Sequence, residues 1–317
     1  MRISCFARAA AGLAIVVFAA AANAAYPDKP IQYIIPFAPG GESDVAARLQ
    51  QQTFKIKFNQ DLIVVNKAGA GGALAWSQLN SMPGDGYTIM GVNLPHIVLQ
   101  PLEAGTQFKT EDITPVYFFH YTPDAIIVPQ DSPYKTFADL VKAAREKPES
   151  ISLAGSGTNS ANHLASERLN RELGIKTLYV PFKGTGDLVS AVLGNHVTGA
   201  MSYSTLAIQQ KGKMRMLAVA TEKRLPQFPD VPTFKELGLN WVDGAYRGIG
   251  VPKSTPPDVR KQVSDMMDAI NKDPELRKRM VEGGFEVTDI SVEQIPAFVK
   301  ERSVEYLNAA KGLGMMK

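Results

Sequence analysis

The sequence predicts an α/β protein in two lobes, each a mostly parallel sheet flanked by helices. A β-branched apolar run, a loop of Gly, Ser, Thr or Asn and a helical apolar pattern succeed one another at least five times. That order belongs to parallel strands joined by covering helices. The chain has 317 residues, more than one hydrophobic core usually supports. No low-complexity linker divides it, so the two lobes are expected to share interleaved segments.

Residues 1–24 read as a cleavable secretory signal. Arg2 and Arg8 are its only charges, an apolar run from Ala9 to Ala22 follows, and Ala22-Asn23-Ala24 forms an A-x-A cleavage site before Ala25. The run is shorter than the roughly 18 apolar residues expected of a membrane span, and no comparable run follows, so a soluble, exported chain is expected. The single cysteine, Cys5, lies inside this segment, which argues against a disulfide scaffold or a lipid-modified N-terminus. Removing the two arginines leaves 32 basic against 31 acidic residues, with no basic run to follow a phosphate backbone, and nucleic acid is not an expected partner.

The first unit runs from the strand at Ile31 to Ile35, through Pro36-Phe37-Ala38-Pro39-Gly40-Gly41, to a helix with Ser43 or Asp44 as N-cap and Val45, Leu49 and Gln52 at helical spacing. The second runs from Leu62 to Val65, through Asn66 to Gly72, into Ala73 to Trp76. After a turn at Ser81 to Gly86, Tyr87 to Val92 is the third strand. Ala125 to Pro129 is a continuous apolar strand and the expected crossing into lobe two, and Thr136 caps the helix after it. Lobe two, 126–247, then holds strands at Ile151 to Leu153, Thr177 to Val180, Gly199 to Met201 and Met216 to Ala220. Lobe one combines 25–125 with 248–317, the chain returning at Gly248 to Val251. The C-terminal part reads as helical: Thr255 caps a helix entered by Pro256-Pro257, Asp273-Pro274 begins another that Gly283-Gly284 stops, and a capping box at Ser291 to Gln294 starts the last.

Ligands of parallel α/β sheets bind beyond the carboxyl ends of strands, where glycine loops turn into helix N-termini. Those junctions present unpaired N–H groups and a positive dipole end, which suit a carboxylate or phosphate. Gly155 to Ser160 adds hydroxyls and an amide without charge, Lys183 precedes Gly184-Thr185-Gly186, and Tyr203, Ser204 and Thr205 are placed to line the same cleft. Arg247, just before the return strand, either grips a carboxylate through two parallel hydrogen bonds or is structural. Nothing nominates an enzyme. His96, His120, His163 and His196 lack zinc spacing, with His163 read as structural at a helix start. No G-x-S-x-G elbow or phosphate loop is present, and S-x-x-K at Ser132 and Lys135 is a pattern that chance supplies often. No cofactor or metal site is expected.

Several ordered motifs resemble one family. Tyr26-Pro27-Asp28-Lys29-Pro30-Ile31, Pro36 to Asp44, Asn66 to Gly72, Gly84-Asp85-Gly86-Tyr87, Gly155-Ser156-Gly157 with His163-Leu164, Val180 to Gly184 and Phe228 to Thr233 with Glu236-Leu237-Gly238 are similar to the substrate-binding proteins of tripartite tricarboxylate transporters, the Bordetella uptake gene (Bug) family. The likeness extends through Val251-Pro252 and Thr255-Pro256. It implies a two-lobed, type II-like periplasmic binding protein, monomeric, which captures a small di- or tricarboxylate or related organic acid by lobe closure. Its partner would be a membrane permease of one large and one small subunit. The family's carboxylate-holding loops carry over to Phe37, Gly40, Gly41 and Ser43 and to Ala70, Gly71 and Gly72. The loops of the second lobe, which in the family hold the rest of the ligand, carry over to Ser156, Thr158, Asn159 and Ser160, to Lys183, Gly184 and Thr185, and to Tyr203. Asp44 matches a family aspartate whose expected role is helix capping and loop shaping. Glu42 departs from the family, which commonly has a small uncharged residue there. A cleft-facing Glu42 would call for an amine on the ligand, whereas the expectation is that it faces solvent. Asn93-Leu94-Pro95-His96 matches no motif. A ligand-presenting sensor module, or a hydrolase or isomerase of the same acids, are the alternatives.

Overall fold

The computed structural model describes residues 26–316, so the signal segment and its cleavage site lie outside the described residues. In chain order the elements are β1 (Ile31–Ile35), α1 (Glu42–Phe58), β2 (Leu62–Asn66), α2 (Ala73–Trp76), β3 (Thr88–Leu94), α3 (His96–Leu99), β4 (Thr114–Pro129) and α4 (Phe137–Glu146). There follow β5 (Ser152–Gly155), α5 (Ala161–Leu173), β6 (Leu178–Pro181), α6 (Thr185–Leu193), β7 (Gly199–Tyr203), α7 (Ser204–Gln209), β8 (Met214–Val219) and β9 (Gly244–Val251). The chain closes with α8 (Pro257–Asn271), α9 (Pro274–Glu282), β10 (Glu286–Ile290) and α10 (Ile295–Gly312). Among these helices none is long and apolar enough to cross a membrane.

The strands form one mixed sheet in the order β2-β1-β3-β9-β4-β7-β5-β6, with β8 and β10 also pairing with β4. Its two ends are parallel: β1 lies between β2 and β3, and β5 lies between β6 and β7. Its middle is antiparallel and is built on β4. From Thr114 to Pro123 that strand pairs with β9, and from Asp124 onward it pairs with β7 and β8. One apolar cluster gathers β1, β3, the first half of β4, α8 and α10, with Trp76, Phe54 and Met267 among its buried members. On the other side of the partner switch, Ile126 and Val128 pack with Leu153, Phe234 and Trp241, and Ile127 packs with Leu188 and Met216.

Five local expectations are corrected. The helix α1 starts at Glu42 with Gly41 as N-cap and no side-chain cap, so Ser43 and Asp44 stand in its first turn. The strand β9 begins at Gly244, which puts Tyr246 and Arg247 inside it rather than ahead of it. The C-terminal part is not wholly helical, because Glu286–Ile290 forms β10 against β4. Thr255 does not cap α8, whose N-cap is Pro256, and α10 starts at Ile295, with the Ser291 N–H donating to Gln294 Oε1 at 2.9 Å in the turn before it. Capping elsewhere is as read. The Thr136 hydroxyl accepts the Asp139 N–H at 3.2 Å, and Asp273 accepts the N–H groups of Glu275 and Leu276.

Candidate functional site

The carboxyl ends of the parallel strands from both ends of the sheet face one another, and their loops touch. Gly186 lies against the Pro39 carbonyl so closely that a Cβ there would stand 1.9 Å from the oxygen. Gly157 meets Gly71 in the same way, with a Cβ placed 2.7 Å from its Cα. The Gln100 amide donates to the Thr158 carbonyl, and Asn159 Nδ2 donates to Glu103 Oε2 at 3.4 Å. Between these faces lies a cavity of about 10 Å³ lined by Phe37, Gly41, Glu42, Ser43, Asn93, His96, Ser156, Thr185, Tyr203 and Arg247. A volume of that size holds about one water.

Each wall follows from local sequence. Asp44, in the first turn of α1, accepts the Gly40 N–H at 2.9 Å, pairs with Arg48 at 3.0 Å and accepts from Asn66 Nδ2 at 3.0 Å, so it ties the β1–α1 loop to the end of β2. Burial would raise its carboxyl, but the hydrogen bonds from Arg48, Gly40 and Asn66 outweigh that and hold it below the ordinary range. The carboxylate is therefore spent on shaping the loop. Across the cleft, Asn162 Oδ1 accepts both the N–H and the hydroxyl of Ser156, at 3.0 and 2.7 Å. The Ser160 hydroxyl caps α5 by accepting the His163 N–H at 3.1 Å, while His163 Nδ1 accepts the Asn159 N–H at 3.1 Å. His163 is thereby structural.

Arg247 reaches the cavity from β9, near the centre of the sheet. Its guanidinium lies 4.5 Å from the centre of the Tyr203 ring, and Nη1 donates to the Thr122 hydroxyl and to the Ala245 carbonyl. Its Nε has no hydrogen-bond partner among the described residues, and neither does the Tyr203 hydroxyl. Glu42 is 3% exposed and stands 3.7 Å from Arg247, accepting the Thr205 hydroxyl at 3.1 Å. The expectation that Glu42 faces solvent is thus overturned. The first turn of α1 points its side chain inward, where Arg247 supplies the opposite charge that a buried carboxylate requires.

The predicted residues separate into three groups. Phe37, Gly41, Ser43, Ser156, Thr185, Tyr203 and Arg247 converge on the cavity. Ala70, Gly71, Thr158 and Lys183 instead line an open groove of about 410 Å³ outside it, with Lys183 exposed beside Asp187. Gly40, Gly72, Asn159, Ser160 and Gly184 border neither space: Gly72 backs onto the Trp76 ring, and Gly184 backs onto Phe37 and Ala38. Asn93 and His96, which matched no motif, join the wall. Asn93 Nδ2 donates to the Ser43 hydroxyl at 3.3 Å, and His96 sits edge-on to Phe37 with its Nδ1 unpartnered. Burial, then the Arg247 charge, push the His96 imidazole down to about 3, so it is neutral at physiological pH. The signal for these two was their position at the carboxyl end of a parallel strand: Asn93 is the next-to-last residue of β3, and His96 comes two residues after it ends.

Residues 46–313 match TctC, the Tripartite tricarboxylate transporter family receptor. The chain is 29% identical over 312 residues to a UPF0065 protein in the gbd 5' region of Cupriavidus necator, covering 98% of this chain and 95% of that one. It is 30% identical over 240 residues to BugT of Bordetella pertussis, covering 74% of each. Among solved structures, the periplasmic binding protein BugD superposes with a TM-score of 0.86 at 30% identity, over 92% of this chain and 100% of that one. MatC (Rpa3494) from Rhodopseudomonas palustris, with bound malate, superposes at 0.82 with 24% identity, over 90% and 99%, a likeness of fold. Proteins of this family are binding proteins and not enzymes. With the profile spanning most of its length and the fold shared throughout, the chain belongs to the TctC family of tripartite tricarboxylate transporter receptors.

Proposed function

We propose that this receptor works in the periplasm, where it captures a small organic acid between two lobes and delivers it to a membrane permease of one large and one small subunit. The signal-like residues 1–24 support export, and the lobe exchanges read from the sequence at 125 and 247 move with the strand pairing to Pro123–Asp124 in β4 and to Gly244 at the start of β9, so that Arg247 stands on the first lobe. The place where β4 exchanges β9 for β7, at Pro123 and Asp124, is the natural pivot, since the chain crosses between the two sides there and again on the approach to β9. Ligand binding shifts the open–closed equilibrium toward the form that the permease recognises.

The observation that carries this reading is Arg247. A guanidinium 3% exposed, with Nε unpartnered and lining a narrow cavity at the N-termini of α1 and α6, is placed to hold a carboxylate. Phe37, Gly41, Ser43, Ser156, Thr185 and Tyr203 would surround the acid, with Asn93 and His96 added to the set. Ala70, Gly71, Thr158 and Lys183, at the rim, would meet it during entry. Since the cavity holds about 10 Å³, a ligand enters only when the two faces part.

A thermal-shift panel of mono-, di- and tricarboxylates on the mature chain tests this. A true ligand raises the melting temperature by mass action and is recovered chemically unchanged. A panel without any shift would defeat the carboxylate reading, and a transformed ligand would defeat the receptor reading.

A further inference from the structure

We propose that the cargo is zwitterionic, an amino acid or a close analogue, with Glu42 holding its ammonium and Arg247 its carboxylate. This rests on the receptor reading above and names the ligand class of the same site.

Glu42 and Arg247 are both nearly inaccessible, and both line the same cavity. They meet at 3.7 Å, beyond hydrogen-bond distance. Glu42 Oε1 is held by the Thr205 hydroxyl, and Arg247 is held by Thr122 and Ala245 through Nη1 while its Nε is unpartnered. The pair is therefore anchored on its outer sides and loose where the two groups face each other.

The charges facing the cavity sum to zero. Glu42 contributes one negative charge and Arg247 one positive, while His96 is neutral and the other lining groups are uncharged. A simple dicarboxylate would satisfy Arg247 and bring a second anion against Glu42 in a water-poor space, where like charges repel most strongly. A zwitterion exchanges partners on both sides. Its ammonium replaces Arg247 beside Glu42, and its carboxylate replaces Glu42 beside Arg247, so neither buried charge is left without its opposite. Ser43, Ser156, Thr185 and Asn93 supply neutral groups for the remaining donors and acceptors. The Thr205 hydroxyl comes from α7, across the cleft from α1, so the Glu42 carboxylate is aimed only when the cleft is closed.

The test titrates the mature chain calorimetrically with the common α-amino acids and, for each, the deaminated acid of the same carbon skeleton. At least one amino acid is expected to bind roughly 30-fold or more tighter than its deaminated twin, the preference that a buried charge pair supplies. Glu42→Gln, nearly the same size, is expected to bring that ratio close to one, and Glu42→Asp to restore part of it. If deaminated acids bind and amino acids do not, the zwitterion is excluded while the carboxylate receptor stands. If Glu42→Gln weakens both classes equally, Glu42 is a structural latch between the lobes and the proposal is overturned. If neither class binds, the carboxylate reading fails and takes this inference with it.

Discussion

The Arg247 guanidinium lies over the Tyr203 ring, 4.5 Å from its centre. One residue comes from β9 and the other from the end of β7, so this contact joins the two sides of the sheet at the cavity wall. The face of the ring holds the cation, and the Nη1 hydrogen bonds to Thr122 and Ala245 fix its rotation. Arg247→Ala is expected to abolish acid binding and, by leaving the Glu42 carboxylate buried without its partner, to cost about 3 kcal/mol of stability. Arg247→Lys is expected to recover little binding, because an ammonium lacks the planar fork. Calorimetry with denaturant unfolding checks both, and full binding by either variant would contradict the assignment.

Gly186 is the sharpest probe of closure. It stands in the first turn of α6 against the Pro39 carbonyl, where a Cβ would come within 1.9 Å. Alanine favours a helix over glycine by roughly 0.5–1 kcal/mol, so Gly186→Ala is expected to preserve or raise the stability of the unliganded protein. It is expected to bar the closed contact and so weaken apparent ligand affinity at least about tenfold, because the competent state becomes rare. Small-angle scattering with ligand checks it: the variant should stay extended where the parent contracts.

Acid sensitivity follows from two buried imidazoles. Burial, then the Arg247 charge, push His96 down to about 3 and place His120 well below its ordinary 6.5. Below 6.5 the unfolded chain takes up protons that the folded chain refuses. This contribution is thus fully present above 6.5 and is lost as pH falls toward the folded values, at about 1.4 kcal/mol per pH unit for each ring. His120→Leu is expected to flatten the acid limb of a stability–pH series measured by denaturant unfolding.

Asp124 works in the opposite sense. Burial, then the neighbouring Asp243, raise its carboxyl well above 3.8 against the pull of Arg247 and Arg168, and Oδ1 has no partner. Its contribution is present below 3.8 and is lost as pH rises through the folded value. Asp124→Asn, which keeps the shape of the neutral acid, is expected to be more stable than the parent at neutral pH. A less stable variant there would mean that the ionised carboxylate is needed at the pivot.

Loosening the β1–α1 loop should weaken binding without touching the ligand. Asp44→Ala removes the acceptor for Gly40, Arg48 and Asn66. The expected cost is about 1–3 kcal/mol of stability, together with a faster ligand off-rate in stopped-flow measurements.

The parallel edges of the sheet were legible because each strand there is a short apolar run closed by a glycine or serine loop, as at Ile31–Ile35 and Ser152–Gly155. The middle was harder to read. Pro115, His120, Thr122 and Pro123 interrupt the apolar pattern of β4, so only its last residues looked like a strand, although most of its length is buried. The strand β10 carries Glu286 and Asp289 with no fully buried side chain, and so reads as a polar connection between helices. Site residues on the glycine loops could be found one loop at a time. The Glu42–Arg247 pair could not, since it exists only once β9 is placed beside β3 and β4 in the sheet.

The most direct measurement is a structure of the mature chain with its tightest-binding acid. The ligand carboxylate is expected within hydrogen-bond distance of Arg247 Nε, inside the space between Phe37, Ser43, Ser156 and Tyr203. A ligand seated in the outer groove beside Lys183 and Gly71, making no contact with Arg247, would contradict the assignment of the site.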